Sequence, residues 1–133
     1  MKIVVSPNPY RDKQFKNARQ ACSILREAGA EVALCLPFDV DKTFEIPHDL
    51  RFQDIQKEIK TADMLICFGG DGTILHSSKI ATEHNLPILG VNIGTMGFIA
   101  ELESGEIELL RKIPKGEYTV EERTMLDVSV GNG

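Results

Sequence analysis

The residues best placed to do chemistry in this chain are Gly69-Gly70-Asp71-Gly72-Thr73. They lie between an apolar run, Met64–Phe68, and an apolar-periodic segment from Ile74 to about Asn85. A strand–glycine–helix junction of this kind suits an anion. Glycines let the backbone take positive φ and approach a ligand closely. The following helix offers unpaired N–H groups and the positive end of its dipole. A phosphate or pyrophosphate is the expected guest. Asp71 would repel that guest unless it has a task, and accepting a hydroxyl proton or holding Mg²⁺ would supply one. The structural alternative is a tight strand-to-helix turn capped by Asp71. There is no GxxxxGK[ST] run, Lys79 lies too far along the helix to serve as a loop lysine, and no GxGxxG follows the first strand.

A second glycine cluster occurs in Leu89–Glu101 (LGVNIGTMGFIAE), where Gly94 and Gly97 bracket a turn and Phe98 follows. Read by itself, it is a strand-to-helix loop with a buried aromatic. Read with the first cluster, it supplies the other wall of a cleft.

Something must hold both clusters. Lys2–Ser6 is a short β-branched run ended by Pro7-Asn8-Pro9, hence a buried strand and a turn. Asp12 can cap a helix whose Phe15, Ala18, Cys22, Leu25 and Ala28 share one face, and Gly29 stops it. Glu31–Leu36 reads as a second strand and Phe38–Leu50 as a loop. Phe52, Ile55 and Ile59 mark a second helix, with Asp49 or Asp54 near its start. Met64–Phe68 and Ile88–Asn92 are further buried strands. Glu101–Lys112 reads as an acidic-faced helix with Ile107, Leu109 and Leu110 apolar, and Lys115-Gly116 as a turn. Tyr118–Val120 and Arg123–Val130 alternate with period two, as half-buried antiparallel strands do.

Strand and helix thus alternate, and the strands are continuous apolar runs. The expected fold is α/β: a doubly wound, mostly parallel sheet with helices on both faces. Ligands in such sheets bind outside the carboxyl ends of the strands, which is where both glycine clusters fall.

Composition narrows the partners. The net charge of the 133 residues is −5 and no block of Lys/Arg occurs, which argues against nucleic acid. No apolar run nears the ~20 residues of a membrane span, and the opening segment is too short for a secretory signal, so a cytoplasmic protein is expected. Cys22, Cys35 and Cys67 read as buried thiols of a reducing compartment. No set of residues has metal-ligand spacing. His48 and His84 read as surface residues.

In four stretches, in order, the chain resembles the N-terminal domain of the NAD kinase family. They are Asn8-Pro9 after the first strand; Gly69–Thr73 with Ile74-Leu75; Leu89–Gly94 followed by a leucine-like Met96 and Gly97-Phe98; and Tyr118 with Glu122-Arg123, Met125 and Leu126. The likeness spans nearly the whole chain. GGDGT is shared with lipid kinases, and in similar form with phosphofructokinases, but its pairing with LGVNxGxxGF is far more specific. The resemblance implies transfer of the terminal phosphoryl of ATP, or polyphosphate, to the adenosine 2′-hydroxyl of NAD, giving NADP. Asp71 would be the general base. Gly69, Gly70, Gly72 and Thr73 would lie along the phosphates, and Asp71, Gly72, His76 and Phe98 beside the dinucleotide. Mg²⁺ on the triphosphate is implied. A solvated helix histidine and a core aromatic remain the bland readings of His76 and Phe98.

The family's Asn-Glu or Asn-Asp pair, which grips the NAD ribose, does not occur before Gly133. The expectation is therefore a truncated enzyme. Residues 1–116 form the α/β domain and 117–133 open a β-rich second domain whose apolar face lacks partners. The fragment should be weakly active or inactive, and the whole protein a homo-oligomer. A lipid or sugar kinase and a non-catalytic nucleotide-binding module are the alternatives.

Overall fold

The computed structural model describes residues 1–94, 100–122 and 126–131. Four parallel strands form its spine: β1 (Lys2–Pro7), β2 (Glu31–Leu34), β3 (Met64–Gly69) and β4 (Ile88–Asn92), in the spatial order β2-β1-β3-β4. Their continuous apolar character follows from burial on both faces. Ile3 and Val5 pack into one core layer and Val4 into the other; Ile66 and Phe68 are likewise separated from Leu65 and Cys67. The first layer is covered by α1 (Lys16–Glu27) and a 3₁₀ helix, Ser104–Lys112. The second is covered by α2 (Ile55–Glu58) and α3 (Asp71–Glu83). The fold is the doubly wound α/β sheet expected. Because β2 and β3 lie on opposite sides of β1, the strand order reverses there, and the crevice between the carboxyl ends of β1 and β3 is the switch point.

Local chemistry explains the element ends. Asp12 is buried and serves α1 at a distance. Its carboxylate accepts from the backbone N–H groups of Asn17 and Ala18, each at 2.9 Å, and from Asn17 Nδ2 at 3.0 Å. Gln14 and Phe15 bridge the gap with φ of 53° and 57°, a strained entry for non-glycine residues. Gly29, at φ 99°, ends the helix as its sequence implied. Asn85, at φ 52°, ends α3, and Leu86 N–H closes on the Ala81 carbonyl at 2.8 Å.

Several expectations are corrected. β2 stops at Leu34; beyond it Cys35 N–H still donates to the Val5 carbonyl at 3.0 Å, and Cys35 forms an isolated bridge with Gln53. The second helix is a single turn, capped by Asp54 through Gln56 N–H at 3.0 Å, before it tightens to 3₁₀ at Ile59–Thr61. The segment from Glu101 begins not as helix but as β5 (Leu102–Glu103), paired with Val91 and Asn92. Glu106 then reaches back to Glu103 N–H at 3.0 Å in a capping box that starts the 3₁₀ helix. Its Ile107 and Leu110 are buried as their spacing implied.

β6 (Thr119–Glu122) and β7 (Leu126–Ser129) pair antiparallel, and β7 joins β4 at Ile88 and Asp127. The apolar face of this segment was expected to lack partners. It does not, because Val128 and Val130 are buried in the same core layer as Ile107 and Leu110. Lys112 Nζ holds the segment's end by donating to the Gly131 carbonyl at 2.7 Å. β6 is the exposed outer strand. Among the described residues no helix is long and apolar enough to cross a membrane.

The three cysteines are unbridged and buried. Burial pushes the Cys67 thiol up to about 12, and burial reinforced by Glu58 and Asp54 does the same for Cys35, from an ordinary 9.0. Between these values the unfolded chain ionises and the folded chain does not. Stability should therefore hold below pH 9 and fall as pH rises toward 12, by about 1.4 kcal/mol per thiol per pH unit. Urea denaturation between pH 7 and about 11 reads this slope. A Cys35→Ala/Cys67→Ala variant with the wild-type slope would show that other groups cause it.

Candidate functional site

The carboxyl ends of β1, β3 and β4 meet the start of α3. Gly69 closes β3 and its carbonyl accepts from Ile93 N–H at 3.1 Å. Gly70 is the N-cap of α3, with no side chain to satisfy the first N–H groups. Its carbonyl accepts the first helical bond, from Ile74 N–H at 3.1 Å. Asp71, Gly72 and Thr73 already belong to the first turn. Asp71 is thus a first-turn residue and not a cap, which removes the alternative of a simple Asp-capped turn.

The reason for the glycines also needs correction. None of Gly69, Gly70 and Gly72 has positive φ; Gly94, at 101°, does. At Gly69 the requirement is space. A Cβ there would stand 2.7 Å from both Cβ and Oγ1 of Thr73. At Gly72 a Cβ would meet nothing within 4 Å, so the fold does not need glycine there.

Asn8 ties the two strand ends together. Its N–H donates to the Phe68 carbonyl at 2.8 Å, and its Oδ1 accepts from Tyr10 N–H at 2.9 Å. Its Nδ2 donates to Thr73 Oγ1 at 2.7 Å. Thr73 is buried, and with the Asn8 amide as donor its hydroxyl keeps its own hydrogen to give. At the neighbouring strand end, Asn92 Nδ2 donates to Glu103 Oε2 at 2.9 Å.

The structure brings Gly69, Gly70, Asp71, Gly72 and Thr73 to one edge, as expected. Phe98 and Gly97 lie outside the described residues. His76 is exposed on α3, with Nε2 2.9 Å from the Pro37 carbonyl and its ring edge-on to Phe38 at 6.2 Å. It forms part of the wall of a cavity of about 1120 Å³, together with Pro37, Phe38, Gln53 and Lys79. Gly70 and Asp71 do not line that cavity. Sequence reading missed Arg11. Its guanidinium carbon would be 3.5 Å from a Cβ on Gly70, and its Nη1 3.3 Å from one on Gly94. The available signal was its place in the turn directly after β1, at the ligand edge of a doubly wound sheet.

This arrangement can be set beside known proteins. The family model of the ATP-NAD kinase N-terminal domain matches residues 2–118. The chain belongs to the NAD kinase family. It is 32% identical to an NAD kinase of Bacteroides fragilis over 130 residues, covering 96% of this chain and 45% of that protein. It is 35% identical to the NAD kinase of Caldanaerobacter subterraneus over 130 residues, covering 97% and 44%. In fold it is similar to the crystal structure of a yeast NADH kinase complexed with NADH, with a TM-score of 0.62 and 18% identity, covering 97% of this chain and 46% of that one. The chain spans somewhat under half the length of these relatives.

The contact at Gly69 generates a test. Gly69→Ala should destabilise the fold by about 1–3 kcal/mol, because the new methyl must displace Thr73 or the helix start. Denaturant unfolding measures it. A loss below about 0.5 kcal/mol, as at an ordinary surface site, would show that α3 is free to lift off β3 at little cost.

Proposed function

We propose that the protein containing this chain is an NAD kinase, transferring the terminal phosphoryl of ATP or polyphosphate to the adenosine 2′-hydroxyl of NAD. The observation that carries the reading is Asp71 in the first turn of α3, on a glycine N-cap at the sheet's switch point, in a chain of this family. Asp71 takes the proton of the 2′-hydroxyl. The 2′-oxygen forms its bond to the terminal phosphorus as the bond from that phosphorus to the bridging oxygen breaks, and ADP leaves with the electron pair. Transfer of this kind depends on positioning and charge neutralisation.

The N–H groups at Gly70 and Gly72 and the Thr73 hydroxyl lie along the donor's phosphates, with Gly69 giving the room. Family resemblance adds His76 and Phe98 on the dinucleotide's side. Mg²⁺ arrives with the donor. Among the described residues no three His, Cys, Asp or Glu side chains converge on a metal site. The resemblance implies that Mg²⁺ is carried by the donor's phosphates, and no residue of this chain is assigned to hold it. Bound to the phosphates, it would neutralise their charge. The division near Gly116, with residues 117–133 opening a second domain, and assembly of the whole protein into homo-oligomers belong to the same proposal.

The test is ATP-dependent formation of NADP by the whole-length protein. Asp71→Asn should lower kcat by about 10²–10⁴, and a rate within a few-fold of wild type would remove Asp71 from the base role. Gly72→Ala separates chemistry from folding. Its Cβ meets open space and alanine favours helix by about 0.5–1 kcal/mol, so the variant should be at least as stable as wild type. Its activity should nonetheless fall, because the methyl occupies the phosphates' path. Undiminished activity in this variant would place the phosphates elsewhere.

A further inference from the structure

We infer that Arg11 grips the phosphate chain of the donor. The inference rests on the reading above and adds a residue to it. Arg11 stands in the turn after β1 and is held from both sides. Its N–H donates to the Asn8 carbonyl at 3.2 Å, as does Asp12 N–H at 2.9 Å, and the Asp12 carboxylate is buried against the first turn of α1. The backbone that carries Arg11 is therefore fixed relative to α3, to which Asn8 is bonded through Thr73.

The side chain reaches across two strand ends. A Cβ on Gly70 would lie 3.5 Å from the guanidinium carbon, and one on Gly94 3.3 Å from Nη1. The guanidinium thus covers the N-cap of α3 and the backbone just beyond β4. Arg19 and Arg111 are both engaged by carboxylates, with Asp49 and with Glu27 and Glu108. Arg11, like Arg26 and Arg51, makes no ion pair among the described residues, and of these three it is the one that lies against Gly70 and Gly94. A planar guanidinium matches phosphate oxygens with paired donors.

Its position selects the ligand. Arg11 lies against Gly70, one of the glycines assigned to the donor's phosphates, and against Gly94 beyond β4, whereas a Cβ on Gly72 would meet no side chain within 4 Å. It stands at the N-cap of α3, one residue before Asp71. With the 2′-hydroxyl on one side of the transferred phosphorus, the donor's remaining phosphates are what occupy the opposite side.

The test uses the whole-length protein as wild type, Arg11→Ala and Arg11→Lys, with ATP, inorganic triphosphate and NAD as probes. Arg11→Ala should raise the KM for ATP and the Kd for inorganic triphosphate about tenfold to a hundredfold, the range of a lost charged hydrogen bond. Binding of NAD and the unfolding midpoint should stay close to wild type, and Arg11→Lys should recover part of the loss. If wild type makes NADP and Arg11→Ala still binds triphosphate within about twofold, the role of Arg11 is wrong while the kinase reading stands. A loss confined to NAD, or one shared equally by all three probes with a lowered midpoint, overturns it as well. If wild type forms no NADP from either donor, the kinase reading itself falls and takes this inference with it.

Discussion

The whole ligand edge depends on how closely α3 lies on the sheet. Two glycines in the strands set that distance. Thr73 occupies the space a side chain on Gly69 would take, and Ile74 does the same at Gly90, where a Cβ would stand 2.9 Å from Ile74 Cδ1. The rest of the buried helix face is small: Ser77, Ser78 and Ala81. Interiors are packed too tightly to absorb an added methyl without shifts. Without these glycines α3 would have to lie further from β3 and β4. Its first N–H groups would then no longer sit at the switch point, and the Asn8–Thr73 bond would be stretched. The same contact therefore fixes packing and the position of Asp71.

A second anchor works from β1. Asn8 and Asp12 sit four residues apart and do unlike jobs with similar side chains. Asn8 uses its amide to cross from β1 to α3. Asp12, fully buried, uses its charge to satisfy two N–H groups at the start of α1. A buried carboxylate is tolerated only when so bonded. Between them the chain is tied to both helical layers of the sheet, so the intervening Tyr10 and Arg11 emerge from a fixed platform.

Much of this was legible in the sequence, because apolar runs on both faces and glycine-ended strands are direct consequences of a doubly wound sheet. β1, β3 and β4, the exit of α1 at Gly29, and the placement of the glycine cluster at the strand ends follow from pattern alone. The misses have physical causes. The alternation in Leu126–Val130 was read correctly, but its partner layer comes from residues distant in sequence, so burial of Val128 and Val130 was invisible. Glu101–Glu103 carries helix-like composition, yet pairing with β4 overrides propensity, as tertiary context often does. The glycines of the first cluster were correctly expected to allow close approach, but through space for Thr73 and not through positive φ. Only the packing of helix on sheet reveals that difference. Arg11 has only its place in the turn after β1 as a signal, and the turn that Asn8 builds brings it over Gly70.

The charge balance shows why composition is a poor guide to an anion site. With a net charge of −5, the chain has no basic block to announce a phosphate ligand. A helix N-terminus is worth about 0.3–1 kcal/mol to an exposed anion, too little to hold a polyphosphate against water. Backbone N–H groups at a glycine N-cap and a hydroxyl with a hydrogen to spare add directional donors without adding net charge. A single guanidinium placed over that cap adds a charged bond of about 1.5–3 kcal/mol. One arginine in a fixed place thus does what a lysine cluster would do diffusely. With a net charge of −5 over these residues, the proposed site would recognise a phosphate chain by position and not by bulk attraction.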